Sequence, residues 1–163
     1  MTQTPAFARA AEIEASLERL AERGDPVEAI YERLFQRHPQ MKPYFWRDTN
    51  GAVKGEMLSR TFEAIFDFVG ERRYADHMIR TEMITHEGYD VPREVFATFF
   101  EIVRDTARDL LAADWTDAFE AAWTELLAEI DRYVQSTARV EAGDNAYFVR
   151  QREAFEREGV AES

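Results

Sequence analysis

Apolar residues recur at helical spacing along almost the whole chain, and the apolar/polar alternation that marks strands is nearly absent. The pattern predicts an all-α fold. Ile13, Leu17 and Leu20 mark a first short helix, ended by Gly24. Asp25 caps a second helix with Pro26 at its first position, where a missing N–H costs nothing. Val27, Ile30, Tyr31 and Leu34 form its inner stripe. His38-Pro39 and Pro43 break that helix into a tight turn, because a residue before proline is pushed out of the α region. Phe45 and Trp46 follow the turn. Leu58, Phe62, Ile65, Phe66 and Val69 make the next stripe, closed by Gly70, and a shorter helix carries Ile79 and Met83 toward His86. Pro92 opens a long helix with Phe96, Phe99, Phe100, Val103, Ala107, Leu110 and Leu111 on one face. Thr116 caps the last long helix, which buries Phe119, Trp123, Leu126, Leu127, Ile130 and Val134.

The chain's 163 residues suffice for one domain with a single core. That domain is expected over residues 1–140. Residues 141–163 turn polar, and Tyr147, Phe148 and Phe155 would lie on a short accessory helix there. The 12 Phe exceed what a small core needs for filling and suit a pocket lined by flat apolar side chains. With 32 acidic against 20 basic residues, the formal charge of −12 makes nucleic-acid backbone and anionic membrane poor partners. There is no cysteine, so disulfides, iron–sulfur clusters, thiolate ligation and thioether attachment of a prosthetic group are excluded. A cofactor must be held non-covalently or through histidine. The first residues lack the basic start and apolar run of a secretory signal, and no apolar run approaches the roughly twenty residues of a spanning helix, so a cytoplasmic protein is expected.

His86 ends a helical stretch in the run His86-Glu87-Gly88-Tyr89-Asp90-Val91-Pro92. A neutral imidazole at a helix end beside an aromatic groove can bind haem iron; the alternative is an ordinary surface histidine. Tyr31 is either core or a buried hydroxyl that needs a partner. His38 reads as a corner residue, His77 as solvated, and Met78 and Met83 as core fillers.

These residues fall in an order that resembles the bacterial single-domain haemoglobins and the globin domain of flavohaemoglobins, from about Ile13 to Val134. The segment from Leu34 through His38-Pro39 to Tyr44-Phe45 is similar to that family's second helix, corner and haem-packing phenylalanine. Tyr31 falls where these globins place a distal tyrosine. His86 with Tyr89 and Val91 is similar to the proximal histidine and its following turn, and Asp114-Trp115-Thr116 with Trp123 matches the final helix. The resemblance implies a globin fold, a 3-over-3 helical sandwich with a C-terminal extension.

It also implies haem b (iron protoporphyrin IX) with His86 on the iron and Phe45 stacked on the porphyrin. Lys54, Leu58, Met83, Tyr89, Val91 and Phe96 complete the cofactor contacts, while Tyr31, Lys54 and Leu58 face the bound gas. Lys54 stands where the family usually has Gln or His. It either snorkels toward a propionate or, deprotonated, binds iron itself. Met57 is a second conceivable sixth ligand, and shifting the helix by three would put Met57 at the distal position and Thr61 over the iron. The second ring nitrogen of His86 needs a fixed acceptor, expected from the Glu82 carbonyl together with Thr85. Glu82 replaces the family's usual leucine, so either the helix is rotated or Glu82 reaches solvent. Phe96 and Ala138 stand where flavohaemoglobins carry a tyrosine–glutamate pair that polarises the imidazole.

The functional expectation is reversible binding of dioxygen or another small gas, for storage, transport or sensing. The alternatives are nitric-oxide dioxygenase or peroxidase-like turnover, which would need an external reductase because no dinucleotide-binding region is visible, and a haem-free interaction module. A monomer and a homodimer through the last two helices or the tail are both open.

Overall fold

The computed structural model describes residues 7–45, 47–137 and 157, and within them the chain consists of helices and turns. Helix α1 is Ala10–Glu22, α2 is Val27–Arg37, α3 is Ala52–Val69, α4 is Ala75–Gly88, α5 is Arg93–Leu111 and α6 is Asp117–Ser136. A 3-10 segment, Pro39–Phe45, follows α2, and a short one, Ala112–Asp114, precedes α6. Ala138, the aromatic residues Tyr147, Phe148 and Phe155, and Trp46 lie outside the described residues.

The ends of the helices follow from local chemistry. The Asp25 carboxylate accepts the Val27 N–H at 3.0 Å. Pro26 is the capping residue and not, as its spacing suggests, the first helical one; lacking an N–H, it leaves no donor to satisfy in either place. Asp48 accepts the N–H groups of Val53 and Lys54, and Asn50 that of Ala52, so three donors at the start of α3 are met by side chains. Thr116 caps α6 by accepting the Phe119 N–H at 3.1 Å.

Helices α1, α3 and α4 form one layer and α2, α5 and α6 the other. The layers join where α1 meets α6 and α5, α2 meets α3, and α4 meets α5 and α6. Between α1 and α6 the buried Trp123 indole N–H donates to Ser16 Oγ at 2.9 Å, and that hydroxyl donates to the Ile13 carbonyl at 2.7 Å. Every polar atom of this deep contact is satisfied, as burial requires. Two expected stripe positions differ. Phe66 is 39% exposed while Phe68 and Ala64 are buried, because α3 meets α1, α2 and α4 and its inner face is centred away from Phe66. Leu110 is 38% exposed at the rim of α5, where Thr106 and Asp105 go inside instead. Among the described residues no helix is long and apolar enough to cross a membrane.

Candidate functional site

His86 lies in the last turn of α4, three residues before the capping residue Tyr89. Its carbonyl accepts the Val91 N–H at 2.9 Å, and the Glu87 carbonyl accepts the Asp90 N–H at 3.0 Å. Asp90 takes a left-handed conformation, φ 62°. This is a Schellman termination, with Asp90 tolerated in the position glycine usually fills. The side chain is fixed as firmly: Nδ1 lies 2.5 Å from the Glu82 carbonyl, one turn back. A carbonyl has no proton to give, so Nδ1 carries the hydrogen and, in the neutral ring, the lone pair sits on Nε2. Thr85 takes no part, since its hydroxyl donates to Thr81; on a helix, a threonine with a carbonyl four residues back satisfies itself. The Phe96 ring packs tilted against the imidazole at 5.2 Å.

Tyr31, on α2, is 1% exposed, and its hydroxyl is buried without a hydrogen-bond partner among the described residues. Its ring is surrounded by aromatics: Phe45 edge-on at 5.3 Å, Phe99 at 5.7 Å and Phe35 at 6.2 Å. Burial, with the Asp48 carboxylate adding to it, pushes the phenol well above its ordinary range. Tyr31 is therefore a neutral donor. An unmet buried hydroxyl costs about 1–3 kcal/mol, which marks this position as one awaiting an acceptor.

The two sides meet on α5. Phe99 touches Tyr31 and Phe96 touches His86, one helical turn apart on the same face. The remaining expected residues divide by burial. Leu58, Met83 and Val91 are buried in the core, whereas Phe45, Phe96 and Tyr89 are partly exposed. Tyr44 donates to the Tyr89 carbonyl at 2.7 Å, joining the segment that carries Phe45 to the turn after His86. Glu82 turns away toward Arg60 of α3, 3.2 Å distant, and is thereby neutralised at the surface. Lys54 is partly buried with its ammonium 5.7 Å from the centre of the Phe35 ring. Met57 is also partly buried, and its carbonyl accepts the Thr61 hydroxyl at 2.9 Å. His38 and Thr98 lie 3.2 Å apart and His77 is exposed, so neither joins the site.

Three contributors escape a reading from residue spacing. Phe35 and Phe99 have the pattern of ordinary core positions, yet both line the Tyr31 cluster. Arg93, which the residue pattern does not single out, is 3% exposed and paired with Glu87 at 2.8 Å.

The site thus holds an oriented imidazole, a neutral buried donor and a partly exposed aromatic lining. A flat apolar ring with a metal at its centre fits that donor set: imidazole nitrogen for the metal, aromatic and aliphatic faces for the ring, and a phenol for a third group. Among the described residues no cluster of three His, Asp or Glu could hold a bare metal ion. A family model described as Globin matches residues 28–133. Comparison with curated proteins and with solved structures returns no significant match.

Proposed function

The chain belongs to the globin family, and on that premise we propose that it holds haem b through His86 and reversibly binds dioxygen or another small diatomic gas beside Tyr31. The observation that carries this reading is the Tyr31 hydroxyl, buried in an aromatic cluster with no acceptor among the described residues. A small diatomic ligand that draws partial negative charge would supply that acceptor.

When bound, haem supplies an iron centre with a position open to a small ligand. The protein's work is to orient and to exclude water. His86 offers Nε2 with its orientation set by Glu82. Phe45, Leu58, Met83, Tyr89, Val91 and Phe96 supply apolar surface for the macrocycle, and Tyr31 presents a donor that stays protonated. Reversible binding is favoured over redox turnover by what surrounds the imidazole. Among the described residues its Nδ1 proton goes to a neutral carbonyl and its ring neighbour is the apolar Phe96, a setting that does not draw the ring toward imidazolate. Nitric-oxide dioxygenation with an external reductase is the second reading. The visible spectrum of the purified protein tests the cofactor, and repeated oxygenation and deoxygenation of the ferrous form without oxidation tests the function. A protein that takes up no haem would overturn the reading; rapid autoxidation with reductase-dependent consumption of nitric oxide would shift it to the enzyme.

A further inference from the structure

We propose that the groove between α5 and α6 is the docking site for this chain's own C-terminal segment, residues 147–157, whose aromatic side chains fill the apolar floor of the groove and whose arginines meet its acidic rim. The groove encloses about 260 Å³. Ala97, Leu127 and the buried Ile130 make its floor, and the exposed Glu94, Glu101 and Asp131 its rim. Among the described residues no lysine or arginine lines it. Arg104 approaches Glu101 along α5 at 3.8 Å. An apolar floor between carboxylates fits an amphipathic helix that carries basic residues along its apolar row.

Such a sequence follows α6. Phe148, Arg152 and Phe155 stand at i, i+4 and i+7, one face of a helix, and Arg150, Arg152 and Arg157 outnumber Glu153 and Glu156 in a chain of net charge −12. Arg157 is helical and exposed, and the other residues of the segment lie outside the described ones. The lengths agree. Phe148 and Phe155 are as far apart in sequence as Glu94 and Glu101, a rise of about 10 Å on a helix in each case. The exit point agrees as well, because Arg93 holds the Thr137 carbonyl at 2.6 Å and the chain thus leaves α6 beside Glu94, at one end of the groove. From Thr137 to Tyr147 the chain can extend about 33–36 Å, enough to turn back along either helix. A second copy's groove would bring the same three carboxylates and meet them like to like. Docked on the groove, the segment covers Ala97 and Thr98, between the Phe96 that packs on His86 and the Phe99 that packs on Tyr31.

The test is chymotrypsin cleavage of the full chain after Phe148 and Phe155, each rate taken relative to the same cut in the urea-unfolded chain, and it depends on no cofactor. Wild type should be cut slowly at both places. Glu101→Lys with Asp131→Lys should be cut about tenfold faster, and adding Arg150→Glu and Arg152→Glu should restore the slow rate. Glu101→Gln with Asp131→Asn takes the place of the reversal should the latter lower the urea midpoint. Rapid cleavage of the wild type would overturn the proposal and leave the groove to a partner protein. Slow cleavage that ignores the rim charges would overturn it too, by placing the segment elsewhere. Sedimentation of the wild type should give a monomer; a dimer that the rim variants dissociate would replace docking within one chain by exchange of the segment between two.

Discussion

The Arg93 guanidinium lies 2.8 Å from the carboxylate of Glu87, the residue after His86. The same guanidinium donates to the carbonyls of Val134 at 3.2 Å and Thr137 at 2.6 Å, at the end of α6. One side chain therefore ties the turn that carries the imidazole to the start of α5 and to carbonyls at the end of α6, where helices lack internal donors. Removing it strands a nearly buried carboxylate beside His86. Arg93→Ala should lower stability by about 3–5 kcal/mol in urea unfolding and speed haem loss. Arg93→Lys should recover only part, because an ammonium lacks the planar fork that serves three acceptors. Wild-type stability in Arg93→Ala would show the pair to be idle.

His86→Gly should abolish retention of haem, and added imidazole should restore an absorption spectrum like that of the wild type. Rescue separates ligation from packing, since a free imidazole can replace a bond to iron but not the side chain's attachment to α4. Haem retained by His86→Gly without imidazole would assign the iron to another residue.

Ala112 follows α5 with φ 48° and ψ −113°, a region where a Cβ is crowded and glycine is not. It is exposed, so the substitution removes no packing. Ala112→Gly should stabilise the fold by about 0.5–1 kcal/mol in thermal or urea unfolding. A loss of stability would mean that the extra freedom given to the unfolded chain outweighs the strain relieved.

What could be read from the sequence was local. Thr116 as a cap, Gly70 as a stop and the stripes of α2 and α6 depend on residues within a turn or two, and the structure places them as the pattern predicts. Tyr31 and His86 stood out through their order with Phe45 and the corner at Pro39, since each alone reads as an ordinary core or surface residue. What could not be read depends on distant partners. Glu82 was open between a rotated helix and a side chain reaching solvent, and what decides it is Arg60 of α3, 22 residues earlier, with which it pairs at the surface. Arg93 is buried where its guanidinium meets the end of α6, whose Val134 lies 41 residues later. Lys54 was open between a side chain snorkelling outward and one turned to the iron, because spacing does not fix the direction of a long flexible side chain; its ammonium lies over Phe35.

Asp67 joins α3 to α4 by accepting the N–H groups of Arg73, Tyr74 and Ala75 at 3.2, 2.7 and 2.6 Å. Burial alone would raise its pKa, but these bonds, with the charge of Arg73, outweigh that and hold it below the ordinary carboxylate value. A carboxyl depressed in the folded state adds stability above its unfolded pKa, and that stability is lost as pH falls through the folded value. Asp67→Asn should therefore be less stable than wild type at about pH 7 and lose less on acidification to about pH 3, as read from urea midpoints at the two pH values. Parallel losses in both proteins would place the acid sensitivity elsewhere, Asp48 and Asp105 being the other carboxyls held low.

Tyr31→Phe tests the pocket's polarity with its shape nearly unchanged. In the gas complex it removes one hydrogen bond to a partly charged acceptor, so dioxygen should leave about ten- to a hundredfold faster. Carbon monoxide, a poorer acceptor, should change far less, and that contrast separates polarity from volume. In the apoprotein the sign reverses, because the hydroxyl is buried without a partner among the described residues and deleting it removes a penalty. The variant's apoprotein should therefore be as stable as wild type or more so. A third sign comes from alkali. The phenol's pKa is raised by burial, so its contribution to stability is full below the unfolded pKa of about 10 and is lost as pH rises through the folded value. Tyr31→Phe should soften the fall in stability above about pH 10, leaving the smaller part owed to Tyr133, whose burial raises it too. Equal dioxygen release rates in the two proteins would refute the hydrogen bond, and a destabilised apoprotein would show that the hydroxyl has a partner within the fold.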